Sequence, residues 1–263
     1  MYTSDDICPP SSDVFANEPS QIRLLQDELC ALYYAVSHDF CAPIRSILGF
    51  SKALEEDFDE CITDTQKHHL LRIEKNASKL ESMAKELLLL HDLAQASLHI
   101  EPVDLGAILF DIINDYREKF PPSDISISIE QGVFIGVDRP LMTRALMQLV
   151  DNIWKFSNPK GQVDIQFGVN RDISSLTYHL KDNGIGFDMT YADRLFCPFQ
   201  KLHSEETYPG LGVGLAIFHR IIRRFGGVAW ADAEPNRGAS IFFTLPLTFP
   251  LIAINFEEYY EKH

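Results

Sequence analysis

The sequence predicts an α+β chain of more than one domain: a helical hairpin forming a dimeric four-helix bundle, followed by an α/β sandwich. Three observations carry this. Apolar residues from Gln21 to about Ser97 repeat at helical spacing. After Glu101-Pro102-Val103-Asp104 the pattern changes to short alternating strands interleaved with amphipathic helices. The 263 residues, 46% of them hydrophobic, suffice for two modest cores. The expected divisions are a mobile tail (1–20), a helical domain (21–100), the sandwich domain (101–250) and a C-terminal extension (251–263), apolar and then acidic.

Composition excludes several functions. A formal net charge of -15 disfavours nucleic acid, whose phosphates are held by clustered Lys and Arg, and an anionic membrane surface. Five scattered cysteines without a CxxC pair suggest neither a disulfide framework nor a zinc site, so a reducing cytoplasm is expected. No stretch approaches the ~18 apolar residues of a membrane span, so no membrane insertion is expected. A signal is then expected from solution or from a separate sensor protein.

Along the first helix Leu32, Val36, Phe40, Ile44, Ile47 and Leu54 fall on one stripe, with His38 almost opposite and facing solvent. Pro43, five residues later, cannot donate to the Asp39 carbonyl and is expected to kink the helix beside that histidine. Cys41 is taken as a packing residue. Cys61-Ile62-Thr63-Asp64 offers a turn and an N-cap for the second helix. Its seam runs through Ile73, Ala77, Leu80, Ala84, Leu87 and Ala94, with structural His91 filling one position. Two helices bury little alone, so a homodimer through the bundle is the economical solution.

In the second domain Ile125, Ile127 and Ile129 alternate as a strand, and Asp138-Arg139-Pro140 starts a helix to about Phe156. Alternation returns at Val163 to Val169 and at Leu176, Tyr178 and Leu180. A helix from about Gly214 to Phe225 stops at Gly226-Gly227, before two strand-like runs near Val228 to Ala233 and Ser240 to Leu247. In the helix after Pro140, Gln148, Asn152 and Lys155 are four and three apart, a polar row beside Met142, Leu146, Leu149 and Ile153. Asp182-Asn183-Gly184-Ile185-Gly186 follows a strand and is on its own also a hairpin signal. Gly210-Leu211-Gly212-Val213-Gly214-Leu215 opens a helix whose unpaired N–H groups suit an anion. It is neither a Walker loop nor a dinucleotide fingerprint.

Taken together, these stretches resemble a known family. Ser37-His38-Asp39-Phe40-Cys41-Ala42-Pro43-Ile44-Arg45-Ser46-Ile47 resembles the phosphoacceptor box of sensor histidine kinases. Gln148 to Phe156 resembles their asparagine box, Asp182 to Asp188 their first glycine box, and Leu195 to His203 their phenylalanine box. Gly210 to Leu215 is the second glycine stretch, and Arg237 to Pro246 resembles their last strand. The order and spacing match from about Leu32 to Leu247, with a phytochrome-like flavour.

The resemblance implies a dimerisation and phosphoacceptor domain followed by a GHKL-type ATP-binding domain, with ATP and Mg²⁺ as cofactors. It implies His38 as the nucleophile, Asp39 as the acid that orients or deprotonates it, and Gln148 as an aid to transfer. It gives Asn152 to Mg²⁺, Lys155 to phosphate and Asp182 to the adenine amino group. Gly184, Gly186, Gly210, Gly212, Gly214 and Leu215 would line the nucleotide, and Thr244 would reach the adenine pocket through water. The phosphoryl group would pass from His38 to an aspartate in a response regulator receiver domain. Ala42 replaces the Thr or Asn that positions a hydrolytic water in bifunctional members, so phosphatase activity is not implied. Ile153 and Trp154 are bulkier than usual and are expected to reshape the pocket. Leu211 stands where Thr is common. These departures keep open a phosphotransfer adaptor or scaffold with a degenerate second domain. An ATPase of the same broad fold would place a Glu where this chain has Gln148.

Overall fold

The computed structural model describes residues 41–56, 63–95, 97–121, 124–157, 162–171, 176–203 and 207–246. His38, Asp39, the predicted tail and the C-terminal extension lie outside them. The chain divides into two compact units, Met1–His91 and Asp92–His263.

In the first unit residues 41–56 are helical straight through Pro43 (α1), and α2 covers Asp64–Gln95. Thr63 caps α2 reciprocally. Its Oγ1 accepts from the Gln66 amide at 3.3 Å, while its own N–H and hydroxyl donate to Gln66 Oε1, both at 2.9 Å. Ile44, Ala77, Ala84 and Leu90 are buried. Ile47 (46%), Leu54 (47%), Ile73 (45%) and Leu80 (51%) are exposed, although all four belong to the predicted apolar stripes.

The second unit is a two-layer α/β sandwich. Its elements are β1 (Glu101–Asp104), α3 (Leu105–Lys119), β2 (Ile125–Ile129), β3 (Phe134–Val137), α4 (Arg139–Phe156), β4 (Val163–Arg171), β5 (Leu176–Asp182), α5 (Gly214–Arg224), β6 (Val228–Ala233) and β7 (Ala239–Thr244). A 3-10 turn, Met189–Arg194, lies between β5 and α5. Five strands form one sheet in the order β2-β4-β5-β7-β6; β2 runs parallel to β4 and the other pairings are antiparallel. Val163, Ile165, Phe167, Tyr178, Leu180, Ile241 and Phe243 point to one buried face. Ile108, Ile112, Met142, Leu146, Ile217 and Ile221 supply the helical half of that core.

Two short strands were not expected. Glu101 to Asp104, read from the sequence only as a boundary, forms β1 and pairs antiparallel with β3. Pro102 is accommodated because a two-stranded ribbon has open edges. Asp104 then serves two elements. Oδ1 accepts from Gly106 N at 2.9 Å to cap α3 and from Val133 N at 3.2 Å, and Oδ2 accepts from Gly132 N at 3.1 Å. Asp138 caps α4 by accepting from Leu141 N at 3.1 Å, and its other oxygen accepts from His99 N at 3.0 Å. Gly226 takes φ 79° and, as expected, ends α5.

Candidate functional site

The sheet, the end of α4 and the irregular stretch before α5 enclose an open cleft. Its floor is apolar: Leu149, Ile153, Leu180 and Ile241. Its polar groups come from the predicted stretches. Asn152 and Lys155, one turn apart on α4, both face it. Gln148, a turn earlier, sets Oε1 against Gly214, where a Cβ would lie 3.0 Å away. Gly214 and Leu215 open α5 and line the cleft. The N-cap residue Val213 makes no side-chain cap, so the first N–H groups of α5 are left to a ligand or solvent.

Asp182 marks the opposite end. Oδ1 accepts from Gly184 N at 2.7 Å and the carboxylate also bonds the Ala239 amide. Burial still pushes this carboxyl above the usual Asp range. The glycine turn is fixed on both sides: Ile185 N donates to the Phe156 carbonyl at 3.0 Å, and Asn236 N donates to the Ile185 carbonyl at 2.7 Å. Gly186 has φ 58°, and a Cβ there would collide with the Glu234 carbonyl. Gly210 meets a different demand, because Lys155 Nζ would sit 2.7 Å from its Cβ. The ammonium can approach the backbone only where no side chain intervenes. Gly212 lines the cleft, and its carbonyl accepts from Phe199 N at 2.9 Å.

Lys155 is held below the ordinary lysine range, first by burial; Asp151 pushes the other way and Lys201 adds to the depression. Two ammonium groups thus face one cleft, which favours a polyanionic occupant. Lys201, His203 and Tyr208 also line it. Lys201 and His203 belong to the stretch that resembles the phenylalanine box, where no role was assigned to them, and Tyr208 had no signal beyond its position between two glycine-rich stretches.

Two expectations need correction. Thr244 is not brought to the cleft. Ala239 and Ile241 line it from β7, whereas Thr244 lies at the far end on the opposite parity, with Oγ1 accepting from Val228 N at 3.3 Å. Ala239 is instead the β7 residue in contact with Asp182. Trp154 does not reshape the pocket either: it turns to α3, where Nε1 donates to the Phe120 carbonyl at 3.1 Å and the ring lies 5.5 Å from Tyr116. Ile153, 5% exposed, does form part of the floor.

Residues 137–249 match the family model of histidine kinase-, DNA gyrase B-, and HSP90-like ATPases. The methanogenesis regulatory histidine kinase FilI of Methanothrix harundinacea is 31% identical over 86% of this chain, which spans 25% of that protein. Cyanobacterial phytochrome B of Nostoc sp. is 29% identical over 89% of the chain, spanning 31% of that protein. Among solved structures, full-length ShkA in complex with AMPPNP superposes with a TM-score of 0.56 at 22% identity, covering 84% of this chain and 46% of that one. That likeness shows the fold. With a helical segment ahead of the matched ATPase domain and a histidine kinase 31% identical along most of its length, the chain carries a sensor histidine kinase core.

Proposed function

We propose that this chain is an ATP-dependent autophosphorylating histidine kinase, cytoplasmic and dimeric through its helical domain, with a helical 21–100 and a nucleotide-binding 101–250 division. One observation carries the reading. Asn152, Lys155, the N-terminus of α5 and Asp182 converge on a single cleft with an apolar floor, as a ligand with a planar base and a polyanionic tail requires. Asp182 takes the adenine amino group, Gly184 and Gly186 carry the turn beneath it, and Gly210, Gly212, Gly214 and Leu215 receive the phosphates with Lys155. Gln148 assists at the transfer end.

Among the described residues no three His, Cys, Asp or Glu side chains converge on a metal site. The Asn152 amide fits Mg²⁺, which is commonly held by one or two protein oxygens plus phosphates and water. When bound, the ion neutralises developing phosphate charge. The residues of the chain bind, orient and exclude water, as phosphoryl transfer mostly requires. His38 attacks the γ-phosphorus, the bond to the bridging oxygen breaks, and ADP leaves. Asp39 orients the imidazole or takes its proton. Phosphohistidine then passes its phosphoryl group to a receiver aspartate of a response regulator.

Calorimetric titration of the full chain with ATP and Mg²⁺ tests the cleft. Binding is expected, weakened at least about tenfold in Asn152→Ala, which corresponds to loss of a charge-assisted contact. Wild-type affinity in that variant would overturn the assignment. Leu211, which leaves no hydroxyl beside Gly210, favours the second reading, a phosphotransfer adaptor or scaffold. In that case the chain would take phosphate at His38 from a phosphorylated receiver and not from ATP.

A further inference from the structure

The cleft contains a ring cluster that none of the assigned roles uses. Phe156 at the end of α4, His203 and Tyr208 meet pairwise, with ring centroids 5.2 Å apart for Phe156 and His203, 5.1 Å for Phe156 and Tyr208, and 5.6 Å for His203 and Tyr208. All three line the cleft. Lys155 Nζ lies 5.1 Å from the Phe156 centroid, which ties the cluster to the cationic end of the site.

His203 also makes a directional contact. A ring nitrogen is directed at the backbone carbonyl of Gly186, a position where the Glu234 carbonyl leaves no room for a Cβ. Burial is the main reason this imidazole lies below its ordinary range, and Lys155 lowers it further. A neutral ring retains one N–H for the carbonyl and adds no third cation beside Lys155 and Lys201. His203 therefore joins three parts of the site: the glycine turn that follows Asp182, the end of α4 that carries Lys155, and Tyr208 on the approach to Gly210.

Resting on the nucleotide reading above, we propose that His203 is a positioning residue that fixes the distance between the base end and the phosphate end of the cleft. A ligand that engages Asp182 and the start of α5 together gains affinity only if both are held at the right separation beforehand. A ligand that engages the base end alone gains nothing from that tie. The ring supplies packing against Phe156 and Tyr208, and the N–H supplies the bond to Gly186, so each part can be removed separately.

The test compares adenosine with ADP and Mg²⁺ on the full chain, using calorimetry for ADP and ligand-observed NMR for adenosine. In His203→Ala the ADP affinity is expected to fall about 10- to 30-fold, the combined loss of one hydrogen bond and one ring contact. Adenosine affinity should change less than about twofold, because the base end remains intact. His203→Phe keeps the ring and loses the N–H; an ADP loss of about fivefold is expected there. It carries the test if the alanine variant does not fold. Unchanged ADP binding, or equal losses for adenosine and ADP, would overturn the positioning role while leaving the nucleotide reading intact. A wild-type chain that binds neither ligand would overturn both.

Discussion

At Asp182 the needs of the fold and of the ligand diverge. Its carboxyl is raised by burial despite the Gly184 and Ala239 amides, so the ionised form costs stability that a bound base would offset. Between its ordinary value and the raised one, the folded chain holds a proton that the unfolded chain has released. Raising the pH through that window therefore lowers stability. Asp182→Asn should melt no lower than wild type at neutral pH and should lose that slope, while binding ATP at least about tenfold more weakly. Thermal melts across pH, set beside calorimetry, check this; a variant that melts lower yet binds normally would contradict it. At Gly186 the constraint is steric. Gly186→Ala places a Cβ against the Glu234 carbonyl at φ 58° and should cost at least about 2 kcal/mol in urea unfolding.

Elements were legible from sequence where local chemistry decided them. Thr63 and Asp138 cap α2 and α4 with their own oxygens, and Gly226 ends α5, all as side-chain type predicts. The main sheet was legible from period-2 burial. β1 and β3 were not, because four-residue strands, one containing Pro102, carry too little pattern to outweigh a turn signal. Thr244 was misplaced for a related reason. Ile241, Phe242 and Phe243 are all apolar, so the run does not announce its parity; Phe242 turns to the outer face and stacks at 5.6 Å on Trp230. The polar row of α4 was legible from helical spacing, whereas His203 and Tyr208 sit on irregular backbone with no period to reveal them. Trp154 follows the same geometry outward. With Tyr116, whose hydroxyl donates to Asp151 at 3.3 Å and is pushed up to about 12 by burial and that carboxylate, it joins α3 to α4. Trp154→Ala should cost about 2 kcal/mol in urea unfolding and leave the ATP dissociation constant within about twofold. A tenfold loss of affinity would return Trp154 to the pocket.

The whole molecule depends on what covers the helical unit. Ile47, Leu54, Ile73 and Leu80 remain exposed although each belongs to an apolar stripe, and we propose that a second copy covers them. Ile73→Asp together with Leu80→Asp should convert a dimer to a monomer in sedimentation equilibrium while ATP binding persists. A double variant that remains dimeric would contradict a bundle built on this seam. We propose that the cleft supplies the phosphoryl group received by His38. This transfer is tested most directly by incubating the full chain with γ-labelled ATP and Mg²⁺ beside His38→Ala and Asn152→Ala. An acid-labile, base-stable label is expected in the wild type and in neither variant; no label in the wild type, or a label retained in His38→Ala, would contradict this transfer.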